Sequence, residues 1–263
     1  MIKNCLKDTQ NEKDYRNIDI DNVGIEDLEY PIRIKDKQNQ IQSTVAKIKM
    51  SVALPKQFRG THMSRFLEII HEYFDVISTT KLKEIVQAML DKFDADESSI
   101  EISFPYFIEK EAPVSKIKSF LSYRCRLIAE KKKNFDLILE VTVPIHSFCP
   151  CSREISKYGG HNQRGAIKVQ VRMNHLILIE ELVQLAEESA SAEIYSLMKR
   201  MDEKYITEKA YENPRFVEDI IREMIIKLEK DDRISWYNVR VKNFESIHNH
   251  NAFASHEKWK INL

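Results

Sequence analysis

Two cysteines separated by a single proline, Cys149-Pro150-Cys151, with His161 a short way downstream, are the residues of this chain best suited to chemistry. They lie in the segment 146–165, His-Ser-Phe-Cys-Pro-Cys-Ser-Arg-Glu-Ile-Ser-Lys-Tyr-Gly-Gly-His-Asn-Gln-Arg-Gly. Thiolate, imidazole and carboxylate are the groups that bind Zn²⁺ or a related divalent transition metal, and three protein ligands leave a position open for water or substrate. Pro150 stiffens the turn between the two thiols. The spacing is not that of a zinc finger, which needs paired CxxC or HxxxH elements. On chemistry alone the alternatives are a redox-active thiol pair or two unremarkable loop cysteines. Glu203, Glu245 and His248 are further candidate groups, although a loop Glu or His is usually only solvated.

These residues must be positioned by regular elements, and period-two alternation is the clearest signal of them. In 135–145 the odd positions Phe135, Leu137, Leu139, Val141, Val143 and Ile145 are apolar, which describes a half-buried strand. The same test selects 47–54, 167–173 and 237–242, and further strands are expected at 29–34, 100–107, 117–129 and 252–261. Helical spacing marks Leu82, Ile85, Val86, Met89, Leu90, Phe93 and Phe216, Val217, Ile220, Ile221, Met224, Ile225, Leu228. Two more helices fit 64–77 and roughly 176–199, the second open to a break. The order strand, strand, helix, helix, strand, strand then occurs twice. That predicts an α+β chain made of a polar leader, 1–25, and two ββααββ units, 26–131 and 132–263, joined by the short charged turn Glu130 to Asn134. With so little linker, one antiparallel sheet with helices on one face is expected. In such a unit the first strand–strand loop, the helix–helix loop and the last strand–strand loop emerge at one end. In the second unit these are 146–165, the loop carrying Asp202, Glu203 and Lys204, and the loop carrying Glu245, Ser246, His248 and His250. The equivalent loops of the first unit carry nothing of the kind.

Composition narrows the function classes. Of 263 residues, 43% are hydrophobic and 31% charged, so the chain is globular and long enough for a substantial core. Lys+Arg 41 balance Asp+Glu 41, so no global basic field recruits nucleic acid or a membrane surface, and an anionic ligand needs a local site. The 5 glycines form neither a GxGxxG nor a GxxxxGK loop, which argues against Rossmann and P-loop nucleotide binding. The first 24 residues contain no apolar secretory stretch, so a cytoplasmic location is expected. Cys5 and Cys125 read as ordinary residues, one in the polar leader and one in an apolar stripe.

Several long blocks are recognisable. Val143-Pro144-Ile145-His146-Ser147-Phe148-Cys149-Pro150-Cys151-Ser152-Arg153-Glu154-Ile155-Ser156, followed by Gly160-His161-Asn162-Gln163-Arg164, resembles the signature of the bacterial type IB GTP cyclohydrolase I family. Gly60-Thr61-His62-Met63-Ser64-Arg65-Phe66, Asp202-Glu203-Lys204-Tyr205, Glu212-Asn213-Pro214, Phe216-Val217-Glu218-Asp219 and Asn243-Phe244-Glu245-Ser246-Ile247-His248-Asn249-His250 resemble further blocks of that family in the same order. The resemblance spans nearly the whole chain beyond the leader. It implies the tunnelling fold, a homotetramer with active sites at subunit interfaces, and conversion of GTP and water to 7,8-dihydroneopterin triphosphate and formate, the entry step to folate-type pterins. It also implies Cys149, His161 and Glu203 as ligands of one divalent transition metal (Zn, Mn or Fe(II)), with no organic cofactor. By the same resemblance His248, and Glu245 as a further candidate, stand next to the metal, Cys151 is a second functional thiol, and Glu218 anchors guanine.

These residue types suit that reaction. A divalent metal lowers the pKa of bound water from about 15.7 towards 7, and an imidazole such as that of His248 can carry the proton transfers. A carboxylate such as Glu218 accepts two N–H donors from a guanine edge that adenine does not present. The bland reading of Glu218 is a solvated side chain beside an apolar stripe. Arg65, His62, Arg153 and Arg164 are triphosphate candidates, since an arginine fork matches phosphate oxygens. Topology places 60–65 at the far end of the first unit, so it would serve a site only across a subunit interface; otherwise Arg65 belongs to a helix start capped by Thr61 or Ser64. The competing readings are a nitrile-reductase-like enzyme with a cysteine nucleophile, and a non-catalytic protein whose cluster holds a structural metal.

Overall fold

The computed structural model describes residues 8–260 apart from 11 and 39, so Cys5 and the start of the expected leader lie outside the described residues. By packing, the chain divides into two compact units, Met1–Phe104 with Leu127–Leu137, and Pro105–Arg126 with Ile138–Leu263. The elements are α+β, and no helix among the described residues is long and apolar enough to cross a membrane.

The first unit contains β1 (Ile20–Lys35), β2 (Ile41–Leu54), α1 (Ser64–Tyr73), β3 (Val76–Ile77), α2 (Thr79–Phe93) and the first half of β4 (Ser98–Glu111). Its strand order is β3-β1-β2-β4. Ile48, Met50 and Val52 from β2 share the core with Phe66 and Ile70 from α1 and Ile85 and Met89 from α2. The α2 start is capped by Ser78, whose side chain accepts from the Lys81 N–H at 3.2 Å. The helix ends at Asp94, which adopts the left-handed conformation with φ 52°.

Two expectations shift here. Strand β1 begins at Ile20, inside the expected leader, because register slips between Ile20 and Val23 and between Ile25 and Leu28 break the alternation that the period-two test relies on. Between those slips β1 crowds β2 so closely that a Cβ on Gly24 would lie 1.9 Å from the Met50 carbonyl oxygen, so only glycine fits. The helix expected over 64–77 stops at Tyr73, and Val76–Ile77 instead pairs in parallel with Arg33 and Ile34.

The second unit contains the rest of β4, the greater part of β5 (Lys118–Lys131) and β6 (Phe135–Phe148), and then α3 (Pro150–Ile155), β7 (Asn162–Met173), α4 (Ile179–Glu187), α5 (Arg200–Glu212), α6 (Val217–Lys230), β8 (Ile234–Asn243) and β9 (Ala252–Trp259). Its strand order is β4-β5-β6-β7-β8-β9, and β6–β7, β7–β8 and β8–β9 pair antiparallel. Val141, Val143, Val169, Val171, Val239 and Val241 form the buried side of this sheet, with Leu182, Ile220, Met224 and Leu228 of the helices in the same core.

Here the helices differ from expectation. The helix expected over roughly 176–199, with a break allowed for, is α4 alone; its continuation is irregular, and Ala192 forms a two-way backbone bridge with His146, at 3.0 and 3.3 Å. Strand pairing outcompetes helix extension there, leaving Ala190 and Ala192 buried. Helix α5 was not expected at all. Its buried stripe is Asp202, Ile206 and Ala210, too polar to register as an apolar face. Asp202, Glu203 and Lys204 therefore lie at the start of a helix, the first two in its first turn, and not in a loop.

Candidate functional site

The site is built where β6 passes through α3 into β7. Cys149 is the N-cap of α3, with extended backbone, and Pro150 occupies the first helical position, where its missing N–H costs nothing. The Ser152 N–H points at Cys149 Sγ at 3.4 Å, the kind of contact a thiolate accepts. Ser152 Oγ donates to the Cys149 carbonyl at 3.1 Å and accepts from the His161 N–H at 3.0 Å. The Cys149 N–H donates to the His161 carbonyl at 3.1 Å. Cys149 and His161 are thus clasped by three bonds, two of them through one serine. Gly159 permits the return of the chain with φ +112°, and Gly160 passes so close to α3 that a Cβ there would lie 2.6 Å from Ser152 Oγ and 2.9 Å from the Arg153 nitrogen.

The antiparallel register sets Phe148 opposite Asn162, Ser147 opposite Gln163 and His146 opposite Arg164. Phe148 anchors the end of β6: its ring packs edge-on to Tyr211 at 5.4 Å, in a buried cluster with Ala192, Ile206 and Ala210. Its backbone N–H donates to Ser191 Oγ at 3.1 Å, and its carbonyl accepts from the Arg215 N–H at 3.0 Å. Behind His161 lies a row of buried polar side chains, Ser147 from β6, Gln163 from β7 and Asn243 from β8. His161 Nδ1 stands 2.9 Å from Gln163 Oε1 and 3.3 Å from Ser246 Oγ. Burial pushes the His146 imidazole down from its ordinary pKa, against a hydrogen bond with Asn162.

Asp202, at the base of α5, is fully buried. Its Oδ1 accepts from the Val114 and Ser115 N–H groups at 2.8 Å each, and its Oδ2 from the Lys199 N–H at 2.8 Å and the Ser115 hydroxyl at 2.5 Å. Burial alone would raise this carboxyl. The hydrogen bonds from Ser115, Lys199 and Val114 outweigh it and hold the group well below the usual carboxylate range. Asp202 thereby fixes the start of the helix that carries Glu203.

The structure brings Cys149, His161 and the Ser246 loop together. It does not gather Glu203 with them: that carboxylate is exposed on α5, and among the described residues no group of three His, Cys, Asp or Glu side chains is arranged to hold a metal. Cys151 is exposed in α3, Glu218 is exposed in the first turn of α6, and Arg164 is exposed on β7. Glu245 is half-buried after β8; His248 is exposed and stacked on His250, with ring centres 5.0 Å apart. Arg153 lies over the Tyr211 ring at 4.6 Å. In the first unit, His62 and Arg65 line a cavity of about 340 Å³ with Gly60, Thr61 and Lys92. There Arg65 donates to the Lys92 carbonyl at 3.1 Å, and His62 Nε2 lies 3.2 Å from Asp8. The residue that caps α1 is Met63, without a side-chain bond, so neither Thr61 nor Ser64 plays that part.

Ser147, Ser152, Gln163, Asn243 and Ser246 did not emerge from the sequence as site residues. Three of them had a readable signal. Ser147, Gln163 and Asn243 each continue the buried phase of their strand by one more step, so a polar residue stands at the same end of three neighbouring strands where an apolar one is due.

Comparison with known proteins agrees with this architecture. Residues 6–254 match the family model described as type I GTP cyclohydrolase folE2. The chain is 54% identical over 253 residues to GTP cyclohydrolase FolE2 of Dictyoglomus thermophilum, covering 96% of this chain and 98% of the relative. It is 49% identical over 263 residues to GTP cyclohydrolase FolE2 of Geobacter sp. strain M21, covering 98% of each. Among solved structures, uricase from Arthrobacter globiformis superposes with a TM-score of 0.53 at 8% identity, over 92% of this chain and 94% of that one. Urate oxidase from Bacillus sp. TB-90 gives 0.55 at 8% identity, over 92% and 100%. These two likenesses are of fold alone, the tunnelling fold. Sequence and architecture together place the chain in the type I GTP cyclohydrolase folE2 family.

Proposed function

We propose that the protein is a GTP cyclohydrolase I, of the type IB subdivision, converting GTP and water to 7,8-dihydroneopterin triphosphate and formate. The observation that carries the reading is the clasp that holds Cys149 beside His161 at the end of β6 and β7, in a chain that matches the type I GTP cyclohydrolase folE2 family along nearly its whole length. The donor chemistry suits a divalent transition metal: a thiol that accepts a backbone N–H, and an imidazole with one nitrogen already engaged. Cys149 and His161 would hold that metal, and Glu203, which stands apart from them on the exposed side of α5, would have to turn in as third ligand, Zn, Mn and Fe(II) all being compatible with mixed S/N/O donors. When bound, the metal supplies a water of lowered pKa, able to attack purine C8 at neutral pH.

The chain's own residues do the rest in this reading. His248 moves protons during ring opening and loss of formate, with Cys151 as a second thiol and Glu245 near the ligands. Glu218 accepts from the guanine N–H edge, and its exposure on α6 leaves it available to do so. Arg164 contacts the triphosphate, as does Arg153 once it leaves Tyr211; His62 and Arg65 contribute from a neighbouring copy in a homotetramer with interfacial sites. Pterin synthesis of this kind fits the cytoplasm.

The test is incubation of chelator-treated protein with GTP, with and without Mn²⁺, Fe²⁺ or Zn²⁺, followed by detection of formate and, after oxidation, fluorescent neopterin. Formate and neopterin that appear only with metal, and disappear in Cys149→Ala, support the proposal. No turnover with any metal, from protein shown to be folded, overturns it. Turnover that survives chelation moves the assignment to a metal-free thiol chemistry.

A further inference from the structure

His161 has two ring nitrogens, and only one carrying a lone pair can act as a ligand. Which one does so is decided by the partner of the other, and that partner sits in the buried row behind the loop. Ser147, Gln163 and Asn243 are 0%, 6% and 2% exposed. The order of donors along the row follows from one group that can only accept, the backbone carbonyl of Arg215. Ser147 Oγ lies 3.3 Å from that carbonyl and has a single proton, which it donates there. The same oxygen must then accept from Asn243 Nδ2 at 3.0 Å and from Gln163 Nε2 at 3.3 Å. The amide nitrogen of Gln163 therefore faces Ser147 and its oxygen faces His161. Turning the amide over would take the Ser147 proton away from the Arg215 carbonyl and leave that acceptor unmatched. An amide oxygen can only accept, so at 2.9 Å His161 Nδ1 is the protonated nitrogen. Ser246 Oγ, 3.3 Å from the same nitrogen, is able to share that proton.

The row is closely packed, and Asn243 Oδ1 is its one buried side-chain atom without a hydrogen-bond partner among the described residues. A Cβ on Gly165 would lie 2.7 Å from Asn243 Oδ1, so the glycine opposite Asn243 is what gives its amide room. No hydrogen bond to His161 Nε2 occurs among the described residues.

We propose that Gln163 is the positioning residue of His161: it accepts the Nδ1 proton and so presents the Nε2 lone pair, at fixed ring orientation, as the ligand atom. The use of that lone pair rests on the metal reading above. The tautomer itself does not.

Two readouts separate the parts. In metal-free wild-type protein at pH 8, imidazole ¹⁵N–¹H correlation spectra should show His161 as the Nδ1–H tautomer. In Gln163→Met, which keeps length but offers no comparable acceptor, the resonances should move towards the tautomer mixture of a free imidazole. Mn²⁺ titration followed by electron paramagnetic resonance should show affinity about 10- to 100-fold weaker in Gln163→Met, the usual cost of losing such a partner. Gln163→Glu, which still accepts, should restore the Nδ1–H tautomer and most of the affinity. An Nε2–H tautomer in the wild type overturns the proposal whatever the variants do, including variants that fail to fold. A wild type that binds no Mn²⁺ but shows Nδ1–H, lost in Gln163→Met, upholds the positioning and refutes the metal reading instead. Unchanged affinity and tautomer in folded Gln163→Met overturn the proposal alone.

Discussion

Ser152→Ala removes one oxygen and two of the three bonds that clasp Cys149 to His161. Each neutral hydrogen bond contributes about 0.5–1.5 kcal/mol net, so the pair is worth about 1–3 kcal/mol. Ser152 is half-buried and water can reach part of the gap, which puts the expected loss in the lower half, about 1–2 kcal/mol. The Ser152 N–H to Cys149 Sγ contact at 3.4 Å is made by the backbone and survives the change. What is lost is the link between the start of α3 and the start of β7, so His161 gains freedom relative to Cys149. A site that must find its ligands in a wider set of geometries loses affinity, and about 1.4 kcal/mol of clasp energy spent this way is tenfold in Kd. The assay is a pair of measurements on one preparation at fixed protein concentration: urea unfolding for stability, and Mn²⁺ titration for affinity. The expected result is a lower urea midpoint at unchanged slope, with Mn²⁺ binding about tenfold weaker. Wild-type stability together with wild-type affinity in Ser152→Ala would refute the clasp as a determinant of the site.

Gly165→Ala drives a methyl group to within 2.7 Å of Asn243 Oδ1 and 2.9 Å of the Lys242 carbonyl oxygen, so it should destabilise by about 1–3 kcal/mol in urea and disturb the His161 tautomer as well. Asp202 carries a pH signature. Its carboxyl is held below its ordinary value when folded, so its contribution is fully present above the unfolded pKa of about 3.9 and is lost as pH falls below it. Urea midpoints measured from pH 6 downwards should therefore fall less steeply with acidity in Asp202→Asn than in the wild type. Parallel profiles would count against the Ser115 and Lys199 bonds as the cause.

The physical logic of the second unit joins these sites. Segments that are not helix between α4 and α6 are held by β6 instead: Ala192 by His146, Ser191 by Phe148, and Arg215 by both Phe148 and Ser147. Each bond satisfies a backbone or hydroxyl group that burial would otherwise leave unmatched. The end of β6 is thereby held from both sides of its backbone, and Cys149 starts from a rigid point. The same bonds supply the acceptor-only carbonyl that orients Gln163.

Alternation and helical periodicity made eight of the strands legible in the chain, with four of the helices, because each buries one apolar face. Element order then implied the antiparallel α+β architecture, and the blocks around Cys149, His161, Glu203 and His248 implied the family. Where the face is not apolar the sequence was silent. Helix α5 hides behind the buried carboxylate of Asp202, whose four donors come from Val114, Ser115 and Lys199, remote or non-apolar partners that no periodicity test weighs. Strand β3 is two residues long and exists only because β1 lies beside it. The early start of β1 is masked by its bulges. Glu203 illustrates the remaining division: its type and block nominate it as a ligand, but its place on the exposed side of α5 depends on how that helix sits. Residue types and spacing decide which chemistry is available, since donor softness, charge and local periodicity are properties of the chain itself. Which nitrogen of His161 is offered, and which serine ties it to Cys149, depends on hydrogen bonds between residues brought together from separate strands, and only the tertiary structure determines those.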